Sequence, residues 1–192
     1  MSTGTPEEAV DEAIRSTPRA DFLPRAMRRH ADQDRPLPIG HGQTNSQPST
    51  VRRMLEILDV GRGQRVLDVG SGSGWTTVLL ARLVGPDGSV IGVEIEPSLV
   101  EQGRRNVAGA GLPWARVMLA EPGRIGWPQD APYDRILVSA MGTQLADELV
   151  AQLSDSGTLV APVAGTLLRL RRHRGAEPTV ERFGSYRFVP LR

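Results

Sequence analysis

The sequence lacks two side chains that carry much of enzyme chemistry. It has no cysteine, which excludes disulfide bonds, a thiolate nucleophile and cysteine-ligated zinc. It also has no lysine, because all 23 basic residues are arginines, so a lysine Schiff base and a lysine general base are excluded. Histidine is scarce: His30, His41 and His173 form no helical i, i+4 pair, and we expect no metal site.

Net charge and long apolar runs are also missing. The 23 basic and 22 acidic residues of this 192-residue chain nearly cancel, which indicates neither a nucleic acid nor a membrane surface as a partner. No stretch approaches the roughly 18 apolar residues of a spanning helix, and the N-terminus lacks the basic and apolar parts of a signal peptide. We therefore expect a cytoplasmic protein, and a monomer.

From residue 61 the chain alternates between short apolar runs and helical patterns. The runs predict strands at 66–69, 90–94, 115–119, 135–140 and 158–163. The patterns between them predict helices at 75–84, 98–110 and 145–153. This repetition predicts an α/β fold with a doubly wound, mostly parallel sheet that is covered on both faces.

The length fits a single domain, 1–192, with three parts. Residues 1–60 hold N-terminal helices, the second of them over 22–30, and a loop at 31–48 that precedes a further helix; ordered loops of that length are usually functional. Residues 61–165 are the α/β core, and 166–192 predict an antiparallel β-hairpin at one edge of the sheet.

Three alternating glycines follow the predicted strand 66–69. Gly70, Gly72 and Gly74 precede a helical pattern that starts at Trp75. Glycines there let the backbone approach a ligand closely, and the helix presents unpaired N–H groups at its first turn. The dinucleotide fingerprint G-x-G-x-x-G needs glycine where this chain has Trp75, which argues against NAD. The alternative interpretation is a glycine turn with a structural role only.

Acidic side chains flank this loop. Glu94 ends the second predicted strand, where a carboxylate can accept hydrogen bonds from ribose hydroxyls. Asp68 precedes the loop, and no lysine is present to meet a phosphate. The combination fits a ligand with a ribose and a cationic amino-acid tail, and S-adenosylmethionine is such a ligand.

Three segments resemble the protein-L-isoaspartate O-methyltransferase family. They are Pro36–Pro48 (PLPIGHGQTNSQP), Val66–Trp75 (VLDVGSGSGW) and Ala131–Ile136 (APYDRI), and the closing Phe188–Leu191 (FVPL) is similar to the family's last strand. The similarity runs from about Phe22 to Leu191. The glycine loop is shared by methyltransferases of many substrate classes, whereas the first segment is specific to this family.

The resemblance implies a Rossmann-like methyltransferase fold and methyl transfer from S-adenosylmethionine to the α-carboxylate of isoaspartyl residues in damaged proteins or peptides. S-adenosylhomocysteine is the product that remains, and the reaction starts repair through a succinimide. The active-site hydroxyl is Ser46, with Thr44 and His41 as further candidate donors. The candidate cofactor-binding residues are Asp68, Gly70, Ser71, Gly72, Gly74, Trp75, Glu94, Ile95 and Glu121.

The implied reaction agrees with the residues present. A carboxylate acceptor is already ionised at neutral pH, so the displacement needs alignment and exclusion of water rather than a general base. Neutral donors such as the Ser46 and Thr44 hydroxyls suit this task better than an arginine fork, which would weaken the attacking oxygen. Each residue also has an ordinary alternative: Ser46 as a helix cap, Thr44 in a local bond to the backbone, and His41 as an exposed loop residue.

The sequence departs from the family pattern at three places. Asn45 stands where isoleucine is common, Asp32 replaces a tyrosine, and Ala120-Glu121-Pro122 replaces Gly-Asp-Gly, whose acid meets the adenine amino group. Two alternatives therefore stay open. One is a related methyltransferase that acts on another aspartyl carboxylate, for instance in a peptide natural product; the other is a silent homologue that only binds the cofactor.

Overall fold

The structure of the protein, a computed structural model, describes residues 5–191. Residues 1–4 and 192, at the ends of the predicted N-terminal part and C-terminal hairpin, lie outside that range. In chain order the helices are α1 (Pro6–Arg15), α2 (Pro48–Leu58), α3 (Trp75–Val84), α4 (Pro97–Gly109) and α5 (Asp147–Ala151). The strands are β1 (Leu37–Gly40), β2 (Gln43–Asn45), β3 (Arg65–Val69), β4 (Ser89–Glu94), β5 (Ala115–Leu119), β6 (Tyr133–Val138), β7 (Leu153–Val163), β8 (Thr166–His173) and β9 (Ala176–Ser185).

One seven-stranded sheet organises the fold, with the strand order β5-β4-β3-β6-β7-β8-β9. The pairs from β5 through β7 are parallel, and β8 and β9 add antiparallel strands at one edge. The predicted mostly parallel, doubly wound sheet and the edge hairpin are therefore confirmed. The order reverses between β3 and β6, so the carboxyl ends of β3, β4 and β6 meet where ligands bind in open α/β sheets.

The two faces of the sheet are covered by different elements. Val66 and Leu137 contribute to a core with helices α1 to α4, whereas their neighbours Leu67 and Ile136 pack on the opposite face with α5 and the loop before β6. Successive strand residues point to opposite faces, and both faces here are buried. That is why the central strands are apolar runs rather than alternating patterns.

Several boundaries differ from the prediction. Strand β5 has the predicted bounds, but β6 lies at Tyr133–Val138 rather than 135–140. Strand β7 begins at Leu153 instead of 158, because Leu153 pairs with Tyr133 ahead of a shift in register. Since Leu153 belongs to this strand, α5 is shorter than the predicted helix 145–153.

The region before α2 differs most. The predicted helix over 22–30 is wrong: short 3-10 turns at Arg19–Phe22 and Arg28–His30 stand there, because Pro24 cannot lie inside a helix. The predicted loop 31–48 contains the hairpin β1–β2. Its two-residue turn has positive φ at His41 (+54°) and Gly42 (+71°), as the tight hairpin turn requires.

Within residues 5–191, no helix has the length and apolar character needed to cross a bilayer. No cluster of three or more histidine, aspartate or glutamate side chains in the same range has the arrangement of a metal site.

Candidate active site

The glycine loop lies at the carboxyl edge of the sheet, between β3 and α3. Gly70, Gly72 and Gly74 all have positive φ (+78°, +53° and +88°), a region that side chains rarely adopt. A Cβ atom at Gly72 would lie 3.1 Å from Ile39 Cδ1 of β1. The loop therefore packs closely against the β1–β2 hairpin, and the glycines are required by the backbone.

Glu94 ends β4 beside this loop and is buried. Its Oε2 accepts the N–H of Gly72 (2.9 Å), and its Oε1 accepts those of Ile95 (2.8 Å) and Glu96 (3.0 Å). A carboxylate has about four lone-pair sites, so Oε2 keeps one for a further donor. Glu94 thus fixes the glycine loop and still presents an acceptor to the cleft.

Asp68 lies beneath the loop, where it does not line the cleft. Its Oδ2 accepts the hydroxyls of Thr76 and Thr77, both at 2.7 Å, at the start of α3. Burial raises the pKa of Asp68 to about 6, and the nearby Glu94 raises the pKa further, while the two threonine bonds oppose these effects. The position of Asp68 is that of a residue which holds α3 against β3, not of a direct ligand contact.

A cleft opens where the glycine loop, β4 and the β1–β2 hairpin meet. Eight of the twelve predicted site residues line it: Thr44, Ser46, Gly70, Ser71, Gly72, Trp75, Glu94 and Ile95. The other four, His41, Asp68, Gly74 and Glu121, do not. Gly74 caps α3, where a Cβ would lie 3.1 Å from Val107 Cγ2 and 3.3 Å from Gly103 O, so its role is to bring α3 close to α4.

The hairpin side of the cleft carries the predicted acceptor residues. Ser46 is half-buried, Thr44 is exposed, and both line this cleft and a second cavity beside it. Ser46 does not cap α2, because the N–H of Ser49 donates instead to Asp34 Oδ1 (2.9 Å). The helix-cap alternative for Ser46 is therefore not what the structure shows.

Arg19 holds the acceptor segment in place. The guanidinium is buried, lies 5.6 Å from the centre of the Trp75 ring, and binds the segment around Ser46 rather than solvent. Burial lowers its pKa to about 10, with Asp34 opposing, so Arg19 stays charged at neutral pH. Its acceptors are Asn45 Oδ1 (2.7 Å), Ala31 O (3.3 Å), Gln33 O (3.0 Å), Arg35 O (2.9 Å), Asn45 O (3.0 Å) and Ser46 O (2.8 Å).

This arrangement explains Asn45, one of the departures from the family pattern. Its side chain is buried and accepts from Arg19 Nε, although the residue also borders the cleft. Asn45 therefore satisfies a buried cation. The exposed Asp32 has no contact with the cleft.

His41 lies at the turn of the hairpin, away from the cleft. Its ring nitrogens face Ser98 Oγ (2.7 Å) and Glu96 Oε1 (3.5 Å) at the start of α4. The ring thus links the hairpin to α4, and the geometry gives it no position from which to contact an acceptor carboxylate.

Glu121 has partners of its own outside the cleft. It accepts from the side-chain amide of Gln129 and forms an ion pair with Arg124 (2.8 Å). The cleft wall nearby comes from Ala120, Arg124, Ile125 and Gly126 instead. The predicted contact between Glu121 and a cofactor is not supported by this geometry.

Several lining residues were missed from the sequence. Ser139 and Ala140 follow β6, and Val189 to Leu191 run beside them, since Met141 N–H donates to Val189 O (2.7 Å) and Leu191 N–H to Met141 O (2.8 Å). The position of Ser139 after a central strand was an available signal. The return of the C-terminus to the cleft had none, because it depends on tertiary pairing.

The cleft residues fit S-adenosylmethionine. The Ser71 and Ser73 hydroxyls are buried with no hydrogen-bond partner within residues 5–191, and both residues line the cleft. Ile95 is apolar yet 51% exposed there, as suits contact with a flat ring. Together with the free lone pair of Glu94, these are unmet contacts of the kind that a nucleoside with a polar tail provides.

Comparison with solved structures places the fold. A protein-L-isoaspartate O-methyltransferase superposes with a TM-score of 0.85 at 24% identity, over 96% of this chain and 61% of that one. A Plasmodium falciparum protein with the same description, solved in complex with S-adenosyl-L-homocysteine, gives 0.83 at 23% identity over 96% and 90%. The fold and the site therefore define a Rossmann-like methyltransferase.

Sequence comparison identifies the family. The protein-L-isoaspartate(D-aspartate) O-methyltransferase model matches residues 2–192. The protein-L-isoaspartate O-methyltransferase of Methanothrix thermoacetophila is 42% identical over 96% of this chain and 88% of its own length, and that of Myxococcus xanthus is 41% identical over 98% and 90%. The chain belongs to the protein-L-isoaspartate O-methyltransferase family.

Proposed function

We propose that the protein transfers a methyl group from S-adenosylmethionine to the α-carboxylate of L-isoaspartyl residues in damaged proteins or peptides. One observation carries the proposal beyond family membership. The hydroxyl-bearing segment Thr44–Ser46 and the Glu94-anchored glycine loop face the same cleft, and this segment also borders a second cavity that is open to a larger molecule. Donor and acceptor thus approach each other at this segment.

On the donor side, S-adenosylmethionine supplies an electrophilic methyl group when bound. Glu94 Oε2 accepts a ribose hydroxyl, and Ile95 packs against the base. The exposed edge of the loop and the Ser71 and Ser73 hydroxyls bind the amino-acid tail. Because Glu94 also binds Gly72 N–H, the same carboxylate positions the loop and the ligand.

On the acceptor side, the residues need to orient a carboxylate, not to activate it. An aspartyl-type carboxyl has a reference pKa of about 3.9 and is ionised at neutral pH. The Thr44 and Ser46 hydroxyls donate to one oxygen and leave the other free to attack in line. Neutral donors suffice, because holding the carboxylate near the methyl group contributes most of the acceleration.

The alternatives lose the observations that motivated them. Asn45, the motive for a different aspartyl substrate, is occupied with Arg19. Pro122, the motive for a silent homologue, is exposed and does not line the cleft. No observation favours either alternative over isoaspartyl methylation.

The test is transfer of a radiolabelled methyl group to an isoaspartyl peptide beside its normal aspartyl twin. We expect transfer to the isoaspartyl peptide alone, and a reduction of order 10-fold or more in Ser46→Ala, which removes a hydrogen bond to a charged oxygen. Ser89→Ala is the matched control, because Ser89 begins β4 at the opposite end of the sheet. Cofactor binding without transfer to the isoaspartyl peptide would refute the proposal, and transfer unaffected by Ser46→Ala would refute the role of Ser46.

A further inference from the structure

A second cavity adjoins the acceptor side of the cleft. It shares Thr44, Ser46, Ser139 and Val189 with the cleft, so the two spaces meet at the hydroxyls assigned to the acceptor. The rest of its lining comes from the start of α2 and from the segment after β9. These residues are Pro36, Gln47, Ser49, Thr50, Ser185, Tyr186, Arg187 and Phe188.

The lining of this second cavity carries one charged side chain, Arg187, among the residues that the structure describes. Arg187 is exposed, and no carboxylate within residues 5–191 forms an ion pair with it. The carboxylate beside the α2 wall, Asp34, is engaged with Ser49 N–H and the Gln47 amide. The cavity therefore offers a cation and several hydroxyls but no competing acid.

The occupant of this space follows from its position. A peptide whose isoaspartyl carboxylate reaches Thr44 and Ser46 cannot extend into the cofactor side of the cleft, which the donor fills. Its neighbouring residues extend into the second cavity instead, where Tyr186 and Phe188 offer apolar surface and Arg187 offers charge. A carboxylate on one of those residues can pair with the Arg187 guanidinium.

We propose that Arg187 gives the enzyme a preference for isoaspartyl sites with an aspartate or glutamate side chain close to them in sequence. The proposal rests on the proposed function, because it concerns the peptide that carries the acceptor. Arg187 acts here as a specificity residue for the flanking sequence and does not contact the acceptor carboxylate.

The experiment measures peptide binding in the presence of S-adenosylhomocysteine, so that no turnover is needed. Isoaspartyl peptides are matched in threes, with glutamate, glutamine or lysine at one flanking position, and sets are made for positions on both sides. They are tested on the wild type, Arg187→Gln and Arg187→Glu. Arg182→Gln is the matched control, since Arg182 is exposed on β9 and does not line the cavity.

For at least one flanking position, we expect the wild type to bind the glutamate peptide about two- to fivefold more tightly than its glutamine twin at low salt, as for an exposed ion pair. The ratio should approach one in Arg187→Gln, reverse in favour of lysine in Arg187→Glu, stay unchanged in Arg182→Gln, and decline as salt is added.

Three results would overturn the proposal. The wild type could show no glutamate preference at any position, or Arg187→Gln could retain the preference. Equal weakening of all three peptides by Arg187→Gln would instead assign Arg187 to the common acceptor carboxylate. Failure of the proposed function is read separately, from methyl transfer to the glutamine peptide.

Discussion

Glu94 is the residue on which the donor side depends most. It accepts three backbone N–H groups and keeps a lone pair directed at the cleft. A carboxylate in this position binds more strongly than a neutral acceptor, because hydrogen bonds to charged groups are worth about 1.5–3 kcal/mol.

Replacement of Glu94 therefore tests the ribose assignment. We expect Glu94→Ala to weaken S-adenosylmethionine binding by order 10-fold or more, through the lost ribose bond and a loosened glycine loop. Isothermal calorimetry measures the affinity, with Glu101→Gln on the exposed face of α4 as the control. Unchanged affinity in Glu94→Ala would remove the ribose contact from the mechanism.

Asp68 predicts a pH dependence of stability. Its pKa is raised by burial from 3.8 to about 6, so between these values the folded protein binds a proton that the unfolded chain has released. Stability contributed at this site is therefore present at low pH and is lost as pH rises from about 4 to 6, by about 2 to 3 kcal/mol.

The measurement is urea unfolding of the wild type and Asp68→Asn across pH 4 to 8. The difference in unfolding free energy between the two proteins should shift in favour of Asp68→Asn over that window, because the amide cannot ionise. A difference that stays constant with pH would show that Asp68 is not protonated in the folded protein.

At the scale of elements, the sequence predicted those whose signal is local. Strand β5 has its predicted bounds, and α3 begins at Trp75 as expected. The segment before α2 was mispredicted, because its carbonyl groups are satisfied by Arg19 from elsewhere in the chain. The β1–β2 hairpin did carry a local signal, the alternation of Leu37 and Ile39 before a glycine-flanked turn.

Arg19 gives the prediction for this element. Arg19→Lys keeps the charge but cannot reach the same set of acceptors, since lysine has three donors at one point and arginine a planar fork. We expect a loss of about 2–4 kcal/mol in unfolding free energy and a reduction of tenfold or more in kcat/KM for the isoaspartyl peptide.

The distinguishing readout is the affinity for S-adenosylhomocysteine, which should change less than the peptide KM because most Arg19 bonds reach the acceptor segment. Arg53→Lys on the exposed side of α2 is the control. Equal losses on donor and peptide sides would mean that Arg19 stabilises the whole fold rather than the acceptor segment.

At the scale of the whole molecule, the cleft joins segments that are far apart in the chain. The sequence predicted that the glycine loop and Glu94 would meet, because both end neighbouring parallel strands. It did not predict strand order, nor that Val189 to Leu191 would return beside Met141 to line both cavities. That pairing depends on the completed sheet, so no local pattern reports it.

The most direct test of the central claim locates the methyl group. A peptide that carries one isoaspartyl and one normal aspartyl residue is incubated with the enzyme and S-adenosylmethionine, and the product is sequenced by tandem mass spectrometry. We predict a methyl ester on the isoaspartyl residue alone. An ester on the aspartyl side chain, on both residues or on neither would contradict the assignment of this protein to isoaspartyl methylation.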